Sequence, residues 1–280
     1  MTIIQSYDLH SHSTASDGAL SPQELVNRAK ENGVTTLALT DHDTTDGLAD
    51  AQKEAELVQL RFIAGIELSV QWEKQCLHVV GLNIDSQHDA LQTVIRTCEI
   101  MRLERAEKIA LKLEKKGIFG ALAAIQNVVG DGGMITRSHF ADFLVSRCHV
   151  ATPQEAFDRY LADGKAAYVP TIWTPLESAV KAICESGGIP IVAHPMRYKL
   201  TATRMKKLLG AFKNMGGQGM EIVTGRYNPD EIRILGNYAK QFELVGSVGS
   251  DFHSPANQWI ELGRLAPLPA SVKPVWELWQ

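Results

Sequence analysis

Short apolar runs that lead into ionisable residues recur along the whole chain, and this repetition limits the folds available to it. The runs are TLALTDHD, FIAGIELSVQW, LHVVGLNI, IPIVAHP, MEIV and LVGSVGSDFH. Amphipathic stretches separate them, as expected for strands that alternate with helices in a mostly parallel arrangement. In a barrel of parallel strands the C-terminal strand ends face one rim, so residues distant in sequence can converge there. The pattern therefore predicts an α/β barrel or a wound sheet with a polar site at one end.

The first helix can be placed from its end signals alone. Ser21 and Glu24 form a capping box, Pro22 occupies the first helical position, and Gly33 closes the helix after NRAKEN. The next run, TLALTDHD, is then the strand that follows this helix.

Residues 96–170 break the alternation of strands and helices. The segment RTCEIMRLERAEKIALKLEKKG is typical of one long helix, and shorter helical segments follow it. A chain of 280 residues with 45% hydrophobic content can hold one large α/β domain with an inserted subdomain. We therefore predict a barrel formed by residues 1–95 and 171–280, and a helical insertion at 96–170 that caps the substrate.

Charge and hydropathy exclude several classes of protein. The net charge of −4 argues against a broad basic surface, so no long duplex DNA is expected and any anionic partner must be held locally. No window approaches the roughly 20 apolar residues of a membrane helix, and the N-terminus lacks a basic and then apolar leader. The four cysteines form no CxxC pair, which disfavours zinc-finger chemistry. We expect a cytoplasmic protein without a membrane partner.

The segment DLHSHSTASDG places His10 and His12 on the same side of a strand, where two imidazoles can clasp one divalent ion. A lone histidine is more often structural than a ligand, but here many imidazoles and carboxylates lie at predicted strand ends. Besides this pair, they are Asp17, His42, Glu67, His78, His194, Asp251 and His253. The set exceeds the coordination of one ion, so we predict two or three, bridged by Glu67. These ligand types suit manganese, zinc and iron; manganese is the metal we favour.

As a set, the motifs DLHSHS, TDHDT, GIE, AHP and GSDFH resemble the ordered motifs of the PHP superfamily, named for polymerase and histidinol phosphatase domains. The resemblance spans nearly the whole chain. It implies a distorted (β/α)7 barrel, the PHP fold, with a trinuclear metal cleft at the C-terminal strand ends. Carried over position by position, it implies nine ligands: His10, His12, Asp17, His42, Glu67, His78, His194, Asp251 and His253.

Within that superfamily, RLERAEKI, TRSHFADFL, DGKAAYVP and AHPMRY resemble the nucleotide branch. This branch comprises nucleoside 3′,5′-bisphosphate phosphatases and the ribonuclease AM type of 5′-to-3′ exoribonuclease. The resemblance implies a phosphoesterase acting on short 5′-phosphorylated RNA and nucleoside 3′,5′-bisphosphates. Divalent ions would supply a bridging hydroxide as nucleophile and stabilise charge on the phosphoryl oxygens. Asp17 and His194 would then serve catalysis as well as metal binding.

A second phosphate on the substrate requires an anchor of its own. Arg102 and Arg105, three residues apart on the long helix, could grip a 5′-phosphate, with Arg137 and Ser138 closing the other side. The alternative for such arginines is a solvated helix face.

Four further residues are weaker candidates: His139, Lys165, Tyr168 and Arg197. Lys165 and Arg197 are possible substrate contacts, although Lys165 follows the turn ADG and could simply be exposed. His139 could be a general acid that protonates the leaving oxygen, or equally a capping or buried structural histidine.

Three other functions compete with this hypothesis. An amidohydrolase could use an HxH barrel for C–N bond hydrolysis, but such enzymes usually bridge their metals with a carbamylated lysine, where this chain offers Glu67. Histidinol phosphate could be the substrate of the same metal core. A non-catalytic metal- or nucleotide-binding module should have lost ligands, whereas this chain keeps all nine.

Overall fold

The computed structural model describes residues 6–130 and 133–279. Within them, seven strands follow one another in a single sheet in the order β1-β2-β3-β4-β6-β7-β8, and β5 pairs with β3 beside this path. The strands are β1 (Tyr7–Asp8), β2 (Thr36–Leu39), β3 (Arg61–Trp72), β4 (Gln75–Leu82), β5 (Thr174–Pro175), β6 (Ile189–Val192), β7 (Gly219–Thr224) and β8 (Val245–Gly249).

The sheet curls into a nearly closed barrel. The backbone N–H of Leu9 donates to the carbonyl of Val248 at 3.0 Å, and that of His12 donates to Phe252 at 2.9 Å. These bonds join the first strand to the last, which confirms the predicted α/β barrel.

One strand departs from the parallel arrangement. β4 runs antiparallel to both β3 and β6, whereas the other neighbours on the path are parallel. Because β4 is reversed, His78 near its beginning faces the same rim as the C-terminal ends of the other strands. The reversal thus explains how a residue early in its strand joins the site.

The helices of the described residues include the predicted capping box. Ser21 Oγ accepts from the N–H of Glu24, and Glu24 Oε2 accepts from the N–H of Ser21. The helices are α1 (Pro22–Glu31), α2 (Leu48–Leu57), α3 (Asp89–Glu114), α4 (Ala121–Val129), α5 (Arg137–Ser146), α6 (Pro153–Ala156), α7 (Leu176–Glu185), α8 (Ala202–Asn214) and α9 (Pro229–Gln241). None of those formed by residues 6–130 and 133–279 has both the length and the apolar composition needed to cross a bilayer.

Apolar side chains fill the barrel interior, and the C-terminal segment covers the end at which the strands begin. Apolar residues of the strands, among them Leu9, Ile63 and Ile191, fill the interior together with Val275. Trp276 stacks on Tyr7 with ring centroids 4.0 Å apart. The C-terminal segment therefore covers the beginnings of the strands, so the opposite rim is left for a site.

Helix α3 connects the barrel to the insertion. It begins at Asp89, earlier than the predicted residue 96, because its first half packs into the main core through Leu91 and Ile95. Its second half contributes Ala106 and Leu113 to a separate small core. Residues up to Val169 complete that second core, so the helical region has hydrophobic packing of its own.

We expect Gly249→Ala to destabilise the protein by about 3 kcal/mol, because a small residue is required where β8 meets β1. A Cβ at this position would lie 2.3 Å from His10 Cβ and 2.7 Å from His10 N. Gly210→Ala is the matched control: it lies inside α8, its nearest neighbour is Phe242 at 3.6 Å, and it should add about 0.5–1 kcal/mol. Urea unfolding measures both. Equal free energies of unfolding for the two variants would contradict this account of the barrel closure.

Candidate metal centre

All nine predicted ligands converge at the rim where the parallel strands end. They come from the segment after β1, the strands β3 and β4, and the loops after β2, β6 and β8. Oxygen and nitrogen atoms of eight of them form three groups, in each of which the atoms lie within 4.8 Å of one another. The groups are His12, Asp17, His42 and His253; His10, His12, Glu67 and Asp251; and His42, Glu67 and His78. The ninth, His194, lies 2.9 Å from Glu67 through Nε2.

Glu67 is the centre of the cluster. Its side chain is fully buried, and each carboxylate oxygen faces imidazole nitrogens. Its neighbours are His194 at 2.9 Å, His42 at 2.9 Å, His78 at 3.0 Å, His10 at 3.3 Å and His12 at 3.4 Å. Burial alone would raise the pKa of this carboxyl, but the imidazoles of His10, His78 and His42 hold its pKa well below the usual range. An ionised carboxylate among imidazoles can bridge cations.

Two buried carboxylate oxygens support a role in metal binding. Asp17 Oδ1 and Glu67 Oε2 accept no hydrogen bond of good geometry within the described ranges, although imidazole nitrogens lie 3.4 Å and 2.9 Å from them. Buried carboxylate oxygens normally have partners, and divalent cations satisfy them. Together with the imidazoles they form the mixed nitrogen and oxygen donor set that manganese, zinc and iron accept. The residues therefore fit the divalent ions that the sequence predicts.

Glu221, in β7, supports two ligands and was missed by the sequence reasoning. Its Oε1 accepts from His10 Nδ1 at 2.7 Å, and its Oε2 accepts from the backbone N–H of His194 at 2.6 Å. Since Nδ1 of His10 donates to Glu221, Nε2 is left free to face the cluster. The sequence did contain a signal for this role. Glu221 lies inside the apolar run MEIV, and a carboxylate buried there needs a hydrogen-bonding or ionic partner.

Two more carboxylates hold the loops that carry ligands. Asp41 accepts from Ser13 Oγ at 2.7 Å and Ser16 Oγ at 2.6 Å, which orders the loop leading to Asp17. Asp8 accepts from the N–H of Ser250 at 2.8 Å, next to the ligand Asp251. Both Asp8 and Asp41 flank the histidine motifs in the sequence, although their partners could not be identified there.

Some residues of the site adopt strained backbone conformations. Asp43, His194 and Asp251 have φ angles of 53°, 29° and 55°. Residues other than glycine rarely occupy this region, and such strain concentrates where surrounding structure holds a functional side chain in place. At this rim, the backbone therefore adopts unfavourable φ angles that hold these side chains in the site.

Glu221→Gln should weaken metal binding about 10- to 100-fold, because an amide cannot accept from both His10 Nδ1 and the His194 N–H through two oxygens. Manganese titration by calorimetry measures the loss. The control is Glu73→Gln, which changes an exposed carboxylate that is paired with Lys207 and belongs to none of the ligand groups. Unaltered manganese affinity in Glu221→Gln would remove the supporting role assigned to this residue.

Next to the ligands lies an arginine-rich cleft of about 340 Å³, which we call the anchor cleft. It is lined by candidate metal ligands and by Arg102, Arg105, Arg137, Ser138 and Trp173. The guanidinium carbons of Arg102 and Arg105 lie 5.2 Å and 5.5 Å from the Trp173 ring centre. The aromatic ring therefore holds the two guanidinium groups in one position.

Arg102 and Arg105 have different surroundings. Arg102 is buried, and its Nε donates to Asp43 Oδ2 at 2.7 Å while Nη2 donates to Ser69 Oγ at 3.0 Å. Nε of Arg105 is also buried, but it has no partner in the part of the chain that the structure describes. Burial, with the nearby charges of Arg137 and Arg102, lowers the pKa of Arg105 to about 9. No carboxylate among the described residues forms an ion pair with Arg105, so this cation is available for an anion.

Two other predicted substrate residues lie next to the ligands. Ser138 Oγ donates to Asp17 Oδ2 at 3.0 Å, and Arg197 donates to Asp251. Both therefore border the cluster at the anchor cleft.

His139 and Lys165 lie elsewhere. His139 caps helix α5 by accepting from the N–H of Thr136 at 3.0 Å, and it lines a neighbouring cleft together with Asp17. Lys165 is exposed in a turn and is not among the described residues that line the anchor cleft.

Comparison with known proteins adds an independent finding. The profile of the PHP domain matches residues 8–160. A 5′-3′ exoribonuclease from Haemophilus influenzae is 45% identical over 271 residues, which cover 97% of this chain and 98% of that protein. A 3′,5′-nucleoside bisphosphate phosphatase from Chromobacterium violaceum is 39% identical over 269 residues, covering 96% and 94%. A solved structure described as an amidohydrolase from Chromobacterium violaceum, with bound sulfate and no metal, superimposes with a TM-score of 0.92 at 38% identity, covering 98% and 95%.

Proposed function

The chain belongs to the PHP domain family, and from that premise we propose that it is a phosphoesterase with two related substrates. These are short 5′-phosphorylated RNA, shortened in the 5′-to-3′ direction, and nucleoside 3′,5′-bisphosphates, which lose the 3′-phosphate. The observation that carries the proposal is Arg105, a partly buried cation whose buried Nε has no hydrogen-bond partner among the described residues, beside a cluster of nine candidate metal-binding side chains. In both substrates, the 5′-phosphate would bind at Arg105 while the phosphoryl group on O3′ is cleaved at the adjacent metal cluster. RNA of this kind is found in the cytoplasm, where we propose that the protein acts.

One bond unites the two substrates. In each, a 5′-phosphorylated nucleoside carries a phosphoryl group on O3′, and hydrolysis adds water to phosphorus, breaks the bond to O3′ and protonates O3′. A bisphosphate then yields a 5′-mononucleotide and inorganic phosphate. RNA yields a 5′-mononucleotide and a chain whose new 5′ end carries the attacked phosphate. That product has the same end group as the substrate, so the reaction can repeat from the 5′ end.

The metal-binding side chains would hold up to three divalent ions, and manganese is the ion we propose for their mixed imidazole and carboxylate donors. When bound, such ions lower the pKa of water and stabilise negative charge on phosphoryl oxygens. Glu67 is shared by two of the three groups, which suits a bridging role. We propose that two of these candidate ligands, Asp17 and His194, also take part in the catalytic step.

The remaining side chains bind and orient the substrate. Arg105 and Arg137 would hold the 5′-phosphate, with Arg102 fixed behind them by Asp43. Arg197, already paired with the ligand Asp251, would contact the attacked phosphate. Charge-assisted contacts of this kind fix the phosphorus in the position needed for attack.

Ser138, His139 and Lys165 have smaller proposed roles. Ser138 orients the carboxylate of Asp17 through its hydrogen bond. Nδ1 of His139 accepts a backbone N–H, so the neutral ring carries its proton on Nε2; to act as the proposed general acid it would have to release this cap and take up a second proton. Lys165 is an exposed cation that could meet only an extended substrate.

The competing chemistries fit the site less well. C–N bond hydrolysis of the amidohydrolase type uses a bridging lysine, whereas the carboxylate of Glu67 occupies the centre of this cluster. Histidinol phosphate carries one phosphate and would leave Arg105 without an anion.

The proposal is tested by turnover with added manganese on three substrates: 3′-phosphoadenosine 5′-phosphate, a 5′-phosphorylated RNA pentamer and histidinol phosphate. We expect cleavage of the first two, release of 5′-mononucleotides from the RNA, and no activity after chelation. An RNA pentamer that lacks the 5′-phosphate is the matched control and should react far more slowly. Preferential hydrolysis of histidinol phosphate would overturn the substrate assignment while leaving the metal site intact.

A further inference from the structure

A second cleft meets the metal cluster on the side of Asp17 and His253. Its volume is about 960 Å³, and it shares Asp17, Arg197, Asp251 and His253 with the anchor cleft. One wall belongs to the insertion, and the other to the barrel loops that carry the ligands. The metal cluster thus lies where two clefts join, and only one of them contains Arg105 and Arg137.

We propose that this second cleft binds the RNA chain on the 3′ side of the cleaved phosphate, with Arg226 contacting its backbone and Trp259 stacking on a base. The proposal rests on the function proposed above, because the 5′ nucleotide must occupy the anchor cleft. In a nucleoside bisphosphate the attacked phosphate is terminal, and nothing extends beyond it. Only RNA has further nucleotides on that side, so the second cleft is of use to RNA alone.

Trp259 is the first observation that supports a nucleic acid as occupant. Its side chain is 77% exposed, an unusual state for so large an aromatic group. Trp259 is not itself among the described lining residues, but Asn257 and Ile260 on either side of it in the sequence both line the cleft, and its backbone N–H donates to Asn257 Oδ1 at 3.2 Å. Exposed aromatic side chains beside a groove are the usual platforms on which unpaired bases stack, without preference for sequence.

Charge is the second observation. Arg226 is exposed at the cleft, and in the segments that the structure covers no carboxylate forms an ion pair with it. Arg197 lines the same cleft and lies at the boundary with the anchor cleft. Arg197 is paired with Asp251, and apart from the candidate metal ligands Asp142 is the acidic side chain among the described lining residues, so Arg226 is the cation of this cleft that is left for a phosphate. A short basic path with one aromatic platform suits a few nucleotides and not a duplex.

The test compares two substrates in the same variants. In Trp259→Ala we expect kcat/KM for a 5′-phosphorylated RNA pentamer to fall, relative to that for 3′-phosphoadenosine 5′-phosphate, roughly 5- to 100-fold. Arg226→Ala should lower the same ratio and weaken its salt dependence. The matched controls are Phe119→Ala, another exposed aromatic residue, and Arg233→Ala, an arginine paired with Asp230 on α9. Both should keep the ratio of the unmodified protein.

The inference is overturned, and the proposed function is unaffected, if Trp259→Ala and Arg226→Ala leave the ratio of the two kcat/KM values unchanged. This includes the case in which kcat/KM falls equally on both substrates. Hydrolysis of the bisphosphate alone by the unmodified protein would overturn the inference together with the RNA half of that function. If neither substrate reacts, the proposed function fails, and RNA binding in the presence of a chelator decides the inference. A higher Kd for the pentamer in Trp259→Ala than in Phe119→Ala would then support it, and equal values would overturn it.

Discussion

Replacement of Glu67 by glutamine should reduce kcat/KM on both proposed substrates by about 10³-fold or more. Its carboxylate lies within 3.4 Å of five imidazoles and belongs to two of the three groups of candidate ligands. Glutamine keeps the shape but removes the negative charge to which we assign the bridging of cations. Metal ions contribute several kcal/mol to stabilising the transition state of phosphoryl transfer, and about 4 kcal/mol corresponds to roughly 10³ in rate.

Metal content provides a readout independent of turnover. Manganese bound per chain, measured by elemental analysis after gel filtration, should fall by at least one ion in Glu67→Gln. Glu261→Gln is the matched control, because it removes a carboxylate paired with Arg28 at 2.6 Å outside the cluster, and it should retain its metal and activity. A Glu67→Gln protein with full metal content and turnover within tenfold of the original would show that Glu67 is not a bridging ligand.

The α/β barrel could be predicted because its signals are local. Apolar runs that end in ionisable residues determine which side chains reach the rim, and the capping box at Ser21 and Glu24 determines where α1 begins. The reversed direction of β4 could not be read in this way. Its pairing with β6 joins residues such as Val79 and Val192, which lie far apart in the chain, and the apolar pattern of a strand is the same in either direction.

The carboxylates that hold the candidate ligands in place show a second limit to what the sequence can predict. Asp8 accepts from the N–H of Ser250, and Glu221 accepts from His10 Nδ1, across more than two hundred positions in each case. A sequence shows that a buried acid needs partners but does not identify them. Ligands can therefore be proposed from residue type and strand position, whereas the residues that orient them emerge only when the chain is folded.

The two arginines of α3 show the same limit within one helix. Their spacing of three residues predicts that both could grip a phosphate, but Asp43 of the TDHD motif pairs with Arg102. Asp43 is fully buried, so this pair is part of the packing of α3 against the loop that follows β2. Arg105 is left as the cation with a buried, unpaired nitrogen. The structure thus separates a structural arginine from a binding arginine that the sequence treats alike.

Because Arg102 is paired with Asp43 and Arg105 has no such pair, replacing each arginine should affect the free energy of unfolding differently. Arg102→Met should destabilise the protein by about 3–5 kcal/mol, because the buried carboxylate of Asp43 loses its counter-charge. Arg105→Met should leave the melting temperature unchanged or raise it, since it removes a partly buried cation whose pKa is lowered to about 9 by burial and by the nearby charges of Arg137 and Arg102. Thermal unfolding of both variants, with chelator present to exclude metal effects, measures the difference.

Turnover should show the complementary result for Arg105→Met. A charge-assisted hydrogen bond contributes about 1.5–3 kcal/mol, so kcat/KM for 3′-phosphoadenosine 5′-phosphate should fall roughly 10- to 100-fold. Adenosine 3′-phosphate has no 5′-phosphate for Arg105 to bind, and its slower hydrolysis should change little. Arg105→Lys should recover part of the loss, because an ammonium keeps the charge but not the bidentate geometry. An equal loss on both substrates would mean that Arg105 acts on the cleaved phosphate or on the fold, and that the 5′-phosphate is anchored elsewhere.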